Sequence, residues 1–197
     1  MGVHGFRRTA TGKLVLKVDD VERGLLMTFV SQVLALVSPE DDPWGADADP
    51  LARMVGIDPD AERPDDPALA RLLPDAYADD DEASSEFRRF TERSLRETKM
   101  NHAATVLRAL AEADRKVVVP DDEIASWMGA LNDLRLALGT RLGLTEDNHE
   151  DFYDLDEDDP GFVQVHVYDW LTFLQETLVQ AVTGLTSEPP PGWDEQD

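Results

Sequence analysis

Asp154, Asp156 and Asp158 alternate along the chain, the spacing of the first three ligands of a calcium loop, and Ca²⁺ takes several carboxylate oxygens at such intervals. The match ends there. The sixth position, where such a loop turns on glycine, is Asp159; the twelfth is Val165 in place of glutamate, and Pro160-Gly161 redirects the chain. The run is instead expected to be a solvated acidic loop. Its nine acids, Glu146, Asp147, Glu150, Asp151, Asp154, Asp156, Glu157, Asp158 and Asp159, stand without a base among them and form a candidate face for a basic partner. The four histidines, His4, His102, His149 and His166, are scattered and make no H-x-x-x-H pair. With no cysteine available, three or four converging zinc ligands are not in supply. G-x-S-x-G, G-x-G-x-x-G and the P-loop pattern are absent as well. Neither a metal nor a cofactor is expected, and no residue set announces an enzyme.

The remaining polar candidates ride on two apolar helices. Ile124, Trp127, Met128, Leu131, Leu134, Leu138 and Leu142 recur at steps of three and four within residues 121–143, which gathers them into one stripe. Val167, Trp170, Leu171, Leu174, Leu178, Val182 and Leu185 do the same within 166–185. Two helices packed face to face are predicted. Asn132, Asp133 and Arg135 on the first, with Asp169, Gln175 and Glu176 on the second, border that interface. An arginine there needs a carboxylate or amide across it, since a buried unpaired charge costs several kcal/mol. The set reads first as a structural polar network, and alternatively as a pocket near Arg135, Gln175 and Tyr168 for a small molecule or a hydrolytic reaction.

The elements around this pair follow in chain order. A β-hairpin is expected from Gly5–Thr9 and Lys13–Lys17 around a Thr11-Gly12 turn. Asp19 or Asp20 should cap a helix reaching Val37, apolar over most of its circumference and so suited to the middle of a bundle. Residues 39–74 hold seven of the twelve prolines and should be loop, with short helices at Pro50–Val55 and Pro67–Leu73. The polar run 78–86 is predicted to be disordered. A helical pattern starts at Ser84 or Ser85 and continues to Leu110, as one helix or as two broken near Thr98–Asn101. Val117–Val119 can add a third strand, and Pro120 with Asp121–Glu123 should open the central helix. The expected fold class is therefore mainly α, a helical bundle with a small N-terminal β-hairpin, in one domain over 1–185 with a disordered tail at 186–197.

A chain of 197 residues with 42 acids against 18 bases carries a formal charge of −24. Such a surface repels phosphate backbones, so direct nucleic-acid binding through Arg7, Arg8 and Lys13 would need them to line up with Arg88, Arg89 and Arg93. Partners should be basic proteins. No secretory or membrane-spanning stretch is read, so the expected location is cytoplasmic. Broad apolar stripes can also leave surface for a symmetric homodimer.

Several strings together resemble a known family. Trp127 with ALNDLRLALGTRL (130–142), VYDWLTFLQETLV (167–179), ARLLPDAY (70–77) and an N-terminal R-R-T-x-x-G are similar to the actinobacterial AosR oxidative-stress transcriptional regulators, whose domain is one of unknown function. The likeness runs from Phe6 to Leu185. It implies a cytosolic, mainly helical regulator that works with a sigma factor or another transcription component on stress and cysteine-biosynthesis genes, and senses oxidant through an N-terminal cysteine pair. That pair is missing here, because the chain has no cysteine.

Overall fold

In a computed structural model, residues 5–39, 61–145, 148, 159 and 161–184 are described. The architecture is mainly α. Among the described residues, five helices, α1 (Asp20–Val37), α2 (Pro67–Leu72), α3 (Asp81–Glu112), α4 (Ile124–Leu142) and α5 (Phe162–Thr183), pack with a small sheet of β1 (Phe6–Arg8), β2 (Leu14–Lys17) and β3 (Lys116–Val119). The expected Pro50–Val55 helix, Leu185 and the 186–197 tail lie outside the described residues.

One face of the hairpin packs on the core, and the central strand β2 buries Val15 on the opposite face as well. Phe6 pairs with Leu16, Leu16 with Val117 and Leu14 with Val119, both pairings antiparallel in the order β1-β2-β3. These five side chains share one face and are all buried. The turn is closed by Thr9 N–H to the Lys13 carbonyl at 2.8 Å, with Gly12 at φ +78°. That left-handed geometry suits glycine. Val117–Val119 thus supplies the third strand.

Asp19 is the residue that caps α1. Its carboxylate accepts from Glu22 N–H at 2.8 Å while the Glu22 carboxylate accepts from Asp19 N–H at 2.8 Å, a reciprocal capping box. The helix is not enclosed on all sides. Leu26, Val30, Val33 and Val37 are buried, but Val21 and Leu25 face solvent. The central place belongs to α4, which touches α1, α2, α3 and α5. A single 3-10 turn at Asp121–Glu123 precedes it, and Gly143 at φ +68° ends it.

One expectation about α3 is corrected: residues 81–86 are helical instead of disordered. Of the two alternatives for the rest, one helix or two, the single one holds, unbroken through Thr98–Asn101. The physical reason is capping: Asp80 accepts from Ala83 N–H at 2.9 Å, and Asp81 and Glu82 put negative charge on the positive helix end. Ser84 adds a tie, accepting from Tyr77 N–H and donating to the Tyr77 carbonyl. α5 likewise starts at Phe162, four residues before the predicted His166.

The core condenses on Trp127, fully buried and edge-on to Phe6 at 5.5 Å between ring centroids. Leu131 and Leu134 continue the α4 stripe, and Leu171, Leu174 and Leu178 bring the matching side of α5. Each is worth about 1.5–3 kcal/mol of burial. α5 also holds the sheet, as Thr177 Oγ1 accepts from Phe6 N–H at 3.1 Å and the Ala181 carbonyl accepts from Arg8 Nε at 3.2 Å. Close approach needs small residues: a Cβ on Gly129 would stand 2.2 Å from His102 Nδ1, where α3 crosses α4.

Two outcomes are expected in urea denaturation followed by circular dichroism. Trp127→Ala should cost about 3–5 kcal/mol, the range for emptying a large aromatic site. Asp66, which caps α2 and ties it to Arg141 of α4 at 2.6 Å, is held below its ordinary pKa chiefly by the Leu69 N–H, against the opposing effect of burial and with help from Arg141. A lowered folded-state pKa contributes stability above the unfolded value and loses it as pH falls through the folded one. Asp66→Ala should therefore cost about 1 kcal/mol at neutral pH, and the difference should close as pH drops below the usual 3.8.

Candidate functional site

The six polar residues on the principal helices do not gather into one cluster. Arg135 spans α4 and α5, donating from Nε to Thr172 Oγ1 and from Nη1 to Gln175 Oε1, both at 3.0 Å, with its guanidinium carbon 5.5 Å from the Tyr168 ring centroid. An amide and a hydroxyl thus meet the charge across the interface. Asp133, two residues away and so on the far side of the helix, turns to α3, where Lys99 Nζ lies 2.6 Å from its Oδ1. Their side chains are 4% and 13% exposed. Asn132 and Glu176 face solvent, while Asp169 is half-buried.

Of the nine acids in the candidate face, Glu146, Asp147, Glu150, Asp151, Asp154, Asp156, Glu157 and Asp158 lie outside the described residues. Asp159 is exposed, and its Oδ1 accepts from Gly161 N–H at 2.7 Å just ahead of α5. No group of three or more metal-ligating side chains occurs among the described residues.

The bases do not form a common stripe. Arg8 is drawn to Asp121 and the Gly12 and Ala181 carbonyls, and Arg93 binds Glu97 at 2.9 Å. Arg88 is buried among acids. β3 lies against the last turns of α3, where Lys116, Val117 and Val118 line one concavity with Arg108, Ala109 and Glu112, and at 1.5 Å per residue Arg89 is roughly 30 Å from those turns.

Sequence reading missed a network and a concavity at the opposite end of α3. Arg88, 6% exposed, reaches Asp75 and Glu92 at 2.7 Å and the Leu73 carbonyl at 3.1 Å. Burial alone would push its pKa down, but the hydrogen bonds it donates to the Glu92 and Asp75 carboxylates, with their negative charge, outweigh that and hold it up. Arg96 closes the array, binding Glu92 at 2.8 Å and the Val37 carbonyl at 2.9 Å. Beside this polar floor lies a groove of about 460 Å³ walled by Leu73, Pro74, Phe87, Thr91, Leu95 and Thr98. The four-residue steps Arg88-Glu92-Arg96 were the available signal for the network; the groove had none.

Removing one partner of a buried pair strands the other charge. Asp133→Ala should lose about 3–5 kcal/mol of folding stability, whereas Asp133→Leu with Lys99→Met should recover most of it. Chemical denaturation of the three proteins checks the order.

The model of a family described only as a domain of unknown function, DUF2017, matches residues 3–182. A protein of Mycobacterium leprae named as a putative oxidative stress regulator, AosR, is 33% identical over 175 residues, which is 82% of this chain and 78% of the relative. The oxidative stress regulator AosR of Mycobacterium tuberculosis strain H37Rv is 31% identical over 177 residues, covering 83% and 79%. No solved structure matches.

Proposed function

This chain belongs to the DUF2017 family, and from that premise we propose that it is a regulatory interaction protein of the oxidative stress response, acting on transcription by binding a basic protein partner. The observation that carries the reading is the excess of 42 acids over 18 bases, on a chain similar over four-fifths of its length to proteins named as oxidative stress regulators. A surface of that sign attracts a cationic polypeptide and repels DNA. It therefore suits a regulator that works on a DNA-binding component, such as a sigma factor, instead of gripping the duplex. The separation of the hairpin bases from Arg88, Arg89 and Arg93, and the ion pairs that occupy several of them, support the same conclusion. Because the 197 residues contain no cysteine, oxidant reaches this regulator by a route other than a thiol within them.

The immobilised chain, offered purified actinobacterial RNA polymerase with its sigma factors at low ionic strength, should retain a basic subunit and release it as salt rises. Retention of promoter DNA in the absence of protein, or of no polypeptide at low salt, would refute the proposal.

A further inference from the structure

Large apolar side chains are exposed together at one end of the molecule. Phe87 is 47%, Phe90 55%, Tyr77 50% and Leu95 36% accessible, and Tyr77 meets Phe87 edge-on at 6.2 Å between centroids. Single exposed hydrophobics are ordinary, but a contiguous apolar patch beside a concavity marks an interaction surface. The groove is pre-formed. Its α3 wall is fixed by Arg88 to the Leu73 carbonyl and Asp75, and by Arg96 to the end of α1. From Ser84 to Thr98 that wall extends roughly 21 Å, the length of about fourteen helical residues.

Charge selects the occupant. Asp79, Asp80, Asp81 and Glu82, all exposed, lead into α3 just ahead of the groove-lining Ser84 and Phe87. Arg89 and Arg93 lie about half a turn away from Phe87, Thr91 and Leu95, on the other side of the helix. Over residues 73–98 there are eight acids and four arginines, and two of those arginines, Arg88 and Arg96, are committed to the floor. A second copy of this chain would bring the same run of acids, Asp79–Glu82, and another charge of −24, which opposes pairing.

We propose that the groove between the Leu73–Tyr77 turn and the first half of α3 is the docking site for a basic amphipathic helix of the partner. Two or three large apolar side chains at i, i+3 or i+4, and i+7 enter beside Phe87 and Leu95, while flanking lysines or arginines meet Asp79–Glu82. The inference rests on the functional reading above and gives it a contact surface.

The probe is a fluorescein-labelled synthetic peptide of about sixteen residues, Leu and Phe on one helical face and Arg and Lys on the other, beside a scrambled peptide of identical composition. Fluorescence anisotropy with the full chain should show the amphipathic peptide binding at least about tenfold tighter than the scrambled one. The double variant Phe87→Ser/Leu95→Ser, both on the groove wall and partly exposed, should keep its circular dichroism spectrum and lose about tenfold in affinity. Equal binding of the two peptides, or an unaltered double variant, overturns the proposal. So does sedimentation showing a wild-type dimer that the double variant abolishes, which would make a second copy the occupant. Should the double variant still capture the basic transcription subunit as wild type does, the functional reading stands and this site falls.

Discussion

Enclosure of α4 is the constraint from which the rest of the structure follows. A helix with neighbours on four sides can present little to water, so nearly every side chain it carries must be apolar or individually matched. Trp127, Leu131 and Leu134 satisfy the first condition. Asp133 and Arg135 satisfy the second in opposite directions, one toward Lys99 on α3 and the other toward Gln175 and Thr172 on α5. These ties set the register of three helices about a common axis. The buried Trp127 indole N–H has no hydrogen-bond partner among the described residues, a cost offset by the area its ring removes from water.

With α4 at the centre, the other elements acquire their roles. α5 closes one side and carries the sheet through Thr177 and Ala181, so the hairpin is an extension of the bundle and not a separate module. α3 crosses where Gly129 admits His102. α2 is pinned by Asp66 and Arg141. The buried charges among the described residues are matched, Glu22 in the α1 capping box, Arg88 with Asp75 and Glu92, and Asp133 with Lys99.

Periodicity made the principal helices legible, because apolar residues at steps of three and four line up on a helix and scatter to both faces of a strand. The hairpin, the cap at Asp19 and the third strand at Val117–Val119 could be read for similar reasons: turn and capping residues carry local geometry with them. The start of α3 could not. Asp79–Glu82 look like a solvated run by composition, and only their position before Ser84 and Phe87 turns the same charges into a helix cap. The partner of Asp133 was also out of reach, since Lys99 is 34 residues away and nothing local selects it. The groove was least accessible of all. Phe87, Phe90 and Leu95 fall within the helical pattern that begins at Ser84 or Ser85, and their exposure depends on which neighbours the fold sets beside them.

α3 spans 32 residues, close to 48 Å at the usual rise, and its two halves are held by different forces. Toward the C-terminus, Ala103, Val106, Ala109 and Leu110 are anchored by exclusion of water. Toward the N-terminus the anchors are guanidinium contacts made by Arg88 and Arg96. One continuous rod therefore changes its support along its length, from ionic contacts to apolar burial, with the Lys99–Asp133 pair marking the seam.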